Sequence, residues 1–215
     1  MLKSKYESVE QIIRSFKYQY SVDTCLQTCI ENILLEFLER EKIPFKTNKK
    51  EIHRTLFKKG PYGQIALREY SSKLTDLLKG TQVRSIERYH SPSLIQAPGS
   101  IIDNSFHLEG LGRVCSDRNC SFPYVTVSGR WFDMMGLSSW SDPVNNHTVI
   151  ILDLNLDEDR IEFFDPAEIF IKRSSKVDVI PKIINPDRFV SFWDEAKLPR
   201  LTGWFERKSD TLDRW

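Results

Sequence analysis

Apolar residues in the first third of the chain recur at helical spacing. The most regular stretch places five of them at i, i+3, i+4, i+7 and i+8, which draws one apolar stripe along a helix: Ile30, Ile33, Leu34, Phe37 and Leu38. This spacing predicts a helix from about Thr24 to Glu41, which ends before Pro44 because proline disfavours helical backbone in the residue before it. Weaker patterns predict further helices over 48–58 and 64–79.

From Phe122 onward the period shortens to two, or to continuous apolar runs. The segments FPYVTV, HTVIILDL, RIEFFDP and EIFIKR are typical of strands in a half-covered antiparallel sheet. NPDRFVSFWDEA predicts a short helix capped near Asn185 or Asp187, and LTGWFERK a last strand. The order predicts an α+β fold, in which an N-terminal helical half (about 8–80) packs on one side of a C-terminal antiparallel sheet half (about 120–208). We expect both halves to form a single domain over 1–215.

Composition limits the partner and the location. The chain has 215 residues, 40% of them hydrophobic, with 31 basic against 30 acidic side chains. This balance gives no electrostatic reason to expect a nucleic acid or an anionic membrane as partner. The opening MLKSKYESVEQ lacks the apolar run of a secretory signal, and no later apolar stretch approaches the roughly 20 residues of a membrane helix. We therefore expect a soluble, cytoplasmic protein whose four cysteines are catalytic, metal-bound or buried.

Cys25 lies at the predicted start of the first long helix, where a thiol can be activated. Unpaired N–H groups and the positive end of the helix dipole favour a thiolate there. A neighbouring imidazole would lower the thiol pKa further from its usual value of about 8.5. Of the four histidines, His147 opens a strongly apolar strand, whereas His53 lies in a charged helix and His90 and His107 lie in weakly patterned segments.

Asp165 follows His147 at a spacing that fits a β-hairpin. It ends the next predicted strand, with LNLDEDR as the turn between the two strands. Antiparallel pairing brings the start of the first strand beside the end of the second, so the two side chains become neighbours. A carboxylate there holds an imidazole in one tautomer and orientation. Gln19 and the backbone N–H of Cys25 are candidate donors to the oxyanion of acyl transfer, which completes four distinct roles.

At these positions the sequence resembles a known family. The string Gln19-x5-Cys25-x3-Cys29, the following helix, FPYVTV, His147 before VIIL, and Asp165-Pro166 resemble the papain-like cysteine peptidases of the bacteriocin leader-processing (double-glycine peptidase-like) type. The resemblance covers roughly residues 12 to 208, although 40 to 120 match only in general character. It implies a papain-like fold with Cys25 as nucleophile, His147 as general base and acid, Asp165 as orienter and Gln19 in the oxyanion hole. The substrate does not follow from the resemblance. We expect a peptide or protein as substrate, with no cofactor and no metal.

Other residues near these positions are candidates to contact a substrate. Trp131 and Trp140, with Phe132 and the methionines at 134 and 135, lie between FPYVTV and His147, in a connection that overhangs the cleft of a papain-like fold. They are equally well explained as ordinary core. Asn146 adjoins His147 and is either a substrate or second-layer contact, or a turn residue.

Leu26 and Gln27, directly after Cys25, replace the glycine and small residue usual in that family, and are expected to narrow the cleft. This difference supports an alternative function, a catalytically silent papain-like module that binds a peptide or partner. If an amine replaced water as acceptor, the same residues would make an acyltransferase.

A third hypothesis is a zinc-stabilised interaction domain. Cys25-x3-Cys29 and Cys115-x4-Cys120 supply four thiolates, enough for a closed tetrahedral site. Both spacings are longer than the usual two-residue gap, and a zinc role would leave Gln19 and the His/Asp pair unexplained. Cys29 shares a helix face with Cys25 and is expected to be buried as a small apolar side chain.

Overall fold

The computed structural model describes residues 9–21, 23–45, 48–57, 67–89, 101–103, 105–142, 145–170, 181–197 and 200–208. Within these ranges the helices are α1 (Val9–Ser15), α2 (Cys25–Arg40), α3 (Lys49–Phe57), α4 (Leu67–Leu77), α5 (Leu108–Ser116), α6 (Trp131–Met134) and α7 (Pro186–Asp194). The strands are β1 (Val83–Tyr89), β2 (Ile101–Ile102), β3 (Tyr124–Ser128), β4 (Asn146–Asn155), β5 (Arg160–Phe164), β6 (Lys182–Ile184) and β7 (Thr202–Arg207). Short 3-10 turns occupy Ser138–Trp140 and Pro166–Phe170.

The strands form one seven-stranded sheet in the order β2-β1-β7-β3-β4-β5-β6. Neighbouring strands run antiparallel except β1 and β2, which are parallel. The last strand, β7, lies between β1 and β3, so the end of the chain completes the middle of the sheet. β4 and β5 are joined by a tight turn in which Asp159 takes a left-handed backbone conformation.

Alternate residues of β4 point into two separate cores, as the two-residue period of a strand requires. Ile150 and Leu152 belong to a core that also contains the apolar face of α2. Val149 and Ile151 belong to a second core, on the other face of the sheet, with residues from α5, α6 and α7. The sheet is therefore covered by helices on both faces, and the site described below lies where α2 meets the start of β4.

The structure confirms the α+β class and most of the predicted elements. The predicted helices over 24–41, 48–58 and 64–79 correspond to α2, α3 and α4, with 64–66 outside the described residues. Three predicted strands correspond to β3, β4 and β5, and LTGWFERK to β7. Asn185 caps α7 by accepting hydrogen bonds from two backbone N–H groups in its first turn.

Three expectations about layout were wrong. The N-terminal helices pack on one face as predicted, but the sheet is not half-covered, because α5 and α7 pack on the face opposite α2. The sheet also begins before 120, since β1 and β2 precede that position. The segment EIFIKR is not a strand in its described part: Asp165 accepts the N–H of Ala167 on its carboxylate and that of Glu168 on its carbonyl, which turns the chain directly after β5. Residues 171–173 of that segment lie outside the described residues.

None of the helices in the described ranges combines the length and the apolar character needed to cross a bilayer.

Candidate active site

His147 and Asp165 form a fully buried pair at one end of the β4–β5 hairpin. His147 Nε2 and Asp165 Oδ1 lie 2.8 Å apart, and neither side chain is exposed to solvent. An ionised carboxylate can only accept hydrogen bonds, so Nε2 carries the proton and Nδ1 is left to face away from Asp165. The adjacency predicted from the sequence is confirmed.

The strand register explains this adjacency. Ile150 pairs with Phe164, and continuing this register places Asp165 opposite Val149. His147 is two residues from Val149 and therefore points to the same face as Asp165, as its diagonal neighbour. The register shifts only farther along the hairpin, between Ile151 and Asp153, so the pair lies in the regular part of the ladder.

Asp165 is held by three donors that leave neither oxygen free. Oδ1 accepts from His147 Nε2 and from the backbone N–H of Ala167, both at 2.8 Å. Oδ2 accepts from the indole Nε1 of Trp131, also at 2.8 Å. Burial alone would raise the pKa of Asp165, but the charge of His147 and these hydrogen bonds outweigh it and lower the pKa below its usual value. The carboxylate therefore stays ionised although it is buried.

Cys25 is the first residue of α2, at the end of the helix that lies beside β4. Thr24, at the cap position, makes no side-chain cap bond, because its hydroxyl donates to the carbonyl of Ser21 instead. The first N–H groups of α2 thus keep their positive potential for a negatively charged atom. Cys25 is partly exposed, whereas the other three cysteines are buried.

The Cys25 thiol and the His147 imidazole change each other's ionisation. Burial alone would raise the pKa of Cys25, but contact with His147, its charge and hydrogen bonds with Thr148 outweigh it and lower the pKa. Burial alone would lower the pKa of His147, yet the charge and hydrogen bond of Asp165, with the contact to Cys25, raise it to about 10. Both shifts favour a thiolate beside an imidazolium. His147 Nδ1, the ring nitrogen that does not face Asp165, has no partner at ordinary hydrogen-bond geometry among the described residues.

Gln19 lies on the segment that leads into α2 and is almost completely buried. Its backbone N–H donates to the carbonyl of Pro166 at 3.0 Å, which ties it to the residue after Asp165. Its side-chain Nε2 donates one hydrogen to the carbonyl of Ser21 at 3.1 Å. Among the described residues the second hydrogen of this amide has no acceptor, so a donor remains for an oxyanion near the start of α2.

Trp131 and Trp140, both predicted to contact a substrate, differ in their exposure to solvent. Trp131 is fully buried and supports Asp165, which leaves it no surface for a substrate. Trp140 is partly exposed and packs edge-on against Phe132, whose ring lies 4.6 Å from the ring of His147. It is therefore one aromatic layer away from the imidazole and stays a candidate for substrate contact.

The three remaining candidates are partly exposed. Leu26 packs against the core around α2, so part of its side chain turns away from solvent. Gln27 lies in the first turn of α2 and makes no described side-chain hydrogen bond. Asn146 accepts the backbone N–H of Lys197 at 2.8 Å, which occupies its carbonyl oxygen with a contact inside the protein.

The four cysteines do not form a zinc site. Cys29 belongs to the core around α2, whereas Cys115 and Cys120 belong to the core on the opposite face of the sheet. Among the described residues no group of three or more potential metal ligands comes together. Cys29 is fully buried, and its sulfur lies 3.4 Å from the carbonyl oxygen of Thr148. Its pKa is raised well above normal, mainly by burial and to a smaller extent by the charges of Cys25 and Asp165. The hypothesis of a zinc-stabilised domain is therefore wrong for these residues.

A cavity of about 440 Å³ lies between β1, β7 and α5. Four of its charged side chains are paired with each other, Arg84 with Glu206 and Arg88 with Asp103. Cys120 lines it, but no histidine does among the described residues. The Cys120 thiol instead donates to Asp117 Oδ2 at 3.6 Å, and a nearby carboxylate disfavours a thiolate, so we place the candidate active site at Cys25.

Three residues that support the His147–Asp165 pair were not predicted from the sequence to do so. The indole N–H of Trp131 and the backbone N–H of Ala167 both bond to Asp165, and Phe132 packs on the imidazole. For Ala167 a signal was present, because the Asp-Pro pair marks a turn in which an aspartate commonly accepts the N–H two residues on. For the two aromatic residues there was none, since their contacts depend on how the connection between β3 and β4 folds.

Comparison with models of known protein families found no match, and a search of curated proteins found none either. The site must therefore be interpreted from its own geometry. A polarised thiol, an imidazole, a buried carboxylate and free N–H donors are the groups required for attack on a carbonyl and for stabilisation of the resulting oxyanion.

Proposed function

We propose that this protein is a papain-like thiol hydrolase that cleaves a peptide or isopeptide bond. One observation carries the proposal: the buried His147–Asp165 pair lies beside a partly exposed Cys25 whose pKa is lowered, at the uncapped start of a helix. Buried cysteines are usually inert, whereas reactive cysteines occupy partly exposed, electropositive positions such as this one.

Each residue has one task in the proposed reaction. The Cys25 thiolate attacks the carbonyl carbon, and the oxygen becomes an oxyanion that accepts from the Cys25 N–H and the free N–H of the Gln19 amide. The His147 imidazolium then donates its proton to the leaving amine, and the acyl group remains on Cys25 as a thioester. His147 next removes a proton from water, which attacks the thioester and releases the acid. Asp165 keeps the imidazole in one orientation throughout.

The test combines labelling with turnover. Wild-type protein is treated with a peptidyl epoxide, the adduct is mapped by mass spectrometry, and hydrolysis of a peptide library is followed in parallel. We expect selective labelling of Cys25, loss of labelling in His147→Ala, and loss of hydrolysis in Cys25→Ser. Cys120→Ser is the matched control, because Cys120 is also a reduced thiol but no imidazole lines its cavity in the described part of the chain.

The outcomes separate the hypotheses. Labelling of Cys25 with hydrolysis supports the peptidase. Labelling with transfer to an added amine, in place of hydrolysis, would identify the acyltransferase. A Cys25 that reacts no faster than a free thiol, with no turnover of any peptide, would overturn the proposal and favour the silent binding module.

A further inference from the structure

Trp131 contacts the side of Asp165 that is not used by His147. Its Nε1 donates to Asp165 Oδ2 at 2.8 Å, and both side chains are fully buried. The other two donors, the His147 ring and the backbone N–H of Ala167, both bond to Oδ1. The indole thus prevents rotation of the carboxylate about its Cβ–Cγ bond, which would carry Oδ1 out of line with the imidazole.

Trp131 is itself fixed by groups that do not belong to the site. Its ring packs edge-on against Phe163 of β5 at 5.0 Å and against Phe192 of α7 at 5.4 Å. The indole nitrogen is therefore placed by the core on this face of the sheet, independently of His147. A buried donor that is rigidly held and aimed at a buried carboxylate is more than packing, since a phenylalanine would pack there without donating a hydrogen bond.

We infer that Trp131 is a positioning residue: its indole N–H fixes the Asp165 carboxylate in the orientation that holds His147 against Cys25. The effect on turnover rests on the proposed function, whereas the effect on the orientation and ionisation of His147 does not. Without the indole hydrogen, Oδ2 is left buried with no donor. The carboxylate then turns toward its remaining donors, and His147 loses part of the hydrogen bond that stabilises its imidazolium form.

The chain offers a matched control in Trp193. This residue is also fully buried in the same core, yet its Nε1 has no hydrogen-bond partner in the described part of the structure. Trp131→Phe and Trp193→Phe therefore remove the same atoms from equally buried positions, and only the first removes a hydrogen bond. A change at His147 that appears in Trp131→Phe and not in Trp193→Phe therefore reports on the Asp165 contact. Trp193→Phe also weakens the contact of its ring with the Arg200 guanidinium, which lies 5.4 Å from the ring centroid, so a general loss of stability is expected in both variants.

The experiment measures the alkylation rate of Cys25 by iodoacetamide against pH, and the ¹⁵N chemical shifts of the His147 ring, which report its tautomer and charge. For Trp131→Phe we expect alkylation at pH 6 to be at least about tenfold slower, as for loss of one hydrogen bond to a charged group, with the profile moved to higher pH. The Nε2 shift should also change. For Trp193→Phe we expect both readouts to match wild type.

Two results would overturn the inference: unchanged readouts in Trp131→Phe, or equal changes in both variants. If circular dichroism shows that Trp131→Phe does not fold, the same measurements are made on semisynthetic protein in which benzothiophene replaces the Trp131 indole. That ring keeps the bicyclic shape and lacks the N–H. A normal Nε2 shift in that protein would equally sink the idea. Neither readout needs a substrate, so a protein without peptidase activity would refute the proposed function and still test this one.

Discussion

At the residue scale, the ionisation of Cys25 and of His147 reflects a balance between burial and a charged partner. Burial works against both charged forms, and each is recovered through a partner, His147 for the thiolate and Asp165 for the imidazolium. The reactivity of the thiol should therefore depend on the imidazole more than on its own exposure. The pH dependence of alkylation measures this directly.

The first prediction concerns that pH dependence. Because the pKa of Cys25 is lowered, its alkylation rate should stay at the plateau below the ordinary thiol value of about 8.5 and fall only when the pH drops through the lowered pKa. In His147→Ala burial acts without its counter-charge, so the midpoint should move above the ordinary thiol value. A wild-type midpoint at or above about pH 8.5 would contradict the predicted pairing.

A second buried carboxyl group has no catalytic task and gives an independent prediction. Glu87 of β1 is buried, accepts the hydroxyl of Tyr124 at 2.9 Å, and has its pKa raised by burial against the opposing hydrogen bonds from Tyr124 and Tyr89. A carboxyl group whose folded pKa is raised weakens the fold as the pH rises above the unfolded value of about 4.3. Glu87→Gln should therefore increase the free energy of unfolding at pH 7 and have little effect near pH 4.

Urea unfolding at both pH values measures this difference. Glu109→Gln, at an exposed position in the first turn of α5, is the control. It removes a charge that is favourable at a helix start, so at pH 7 it should lower the stability by about 1 kcal/mol at most, a change opposite in sign to that of Glu87→Gln. An equal gain for Glu87→Gln at pH 4 and pH 7 would show that the carboxylate charge is not responsible.

At the element scale, the approach to α2 is attached to the helix by a buried amide. Asn32 Oδ1 accepts the N–H of Lys17 and Nδ2 donates to its carbonyl, both at 2.9 Å. The same segment continues to Gln19, which is bonded to Pro166. The position of Gln19, the proposed oxyanion donor, thus depends on the hydrogen bonds between Asn32 and the Lys17 backbone and on the one from Gln19 to Pro166.

The corresponding prediction is that Asn32→Leu destabilises the protein by about 2–4 kcal/mol, since it removes two hydrogen bonds and leaves backbone groups of Lys17 unpaired. Denaturant unfolding gives the free energy. Lys17→Ala keeps the backbone contacts and removes only the ion pair between its half-exposed ammonium and the buried Glu31, which keeps the ring nitrogen of His53 as a partner, so its loss should be smaller. Similar losses in the two variants would show that the amide contributes no more than this ion pair.

The elements could be predicted where local pattern and tertiary contacts agree. The apolar stripe of α2, the continuous apolar run of β4 and the alternation in β5 were sufficient, and the hairpin between those strands placed His147 beside Asp165. Helix α5 could not be predicted, because its sequence LEGLGRVCS contains two glycines and the helix depends on burial of Leu111, Val114 and Cys115. The turn after β5 was missed although the Asp165-Pro166 pair signalled it, because the apolar residues of EIFIKR were interpreted as a strand.

At the scale of the whole molecule, the sheet separates the cysteines. Cys29 lies on one face and Cys115 and Cys120 on the other, while Cys25 is at the margin where α2 begins. The sequence places four thiols in two similar pairs and gives no indication of this separation, since the path of the sheet between them depends on contacts distant in the chain. Zinc binding and catalysis therefore could not be distinguished by spacing alone.

This separation predicts the thiol count of the folded protein. One thiol should react rapidly with Ellman's reagent in native buffer and four in denaturant, because only Cys25 is partly exposed. Cys25→Ser should abolish the rapid phase, and metal analysis should find no stoichiometric zinc. A rapid phase that survives in Cys25→Ser would mean that a thiol of one of the cores is accessible.

The hydrogen bond from the Gln19 backbone to Pro166 has a consequence for biosynthesis. Cys25 is synthesised long before His147 and Asp165, so a nascent chain holds this thiol without the imidazole that lowers its pKa. The hydrogen bond that anchors Gln19 likewise cannot form until Pro166, after β5, has left the ribosome. In the proposed reaction a chain arrested before that point would lack both the base and the anchor of the amide donor, so the order of synthesis itself would delay cleavage until these residues have been made.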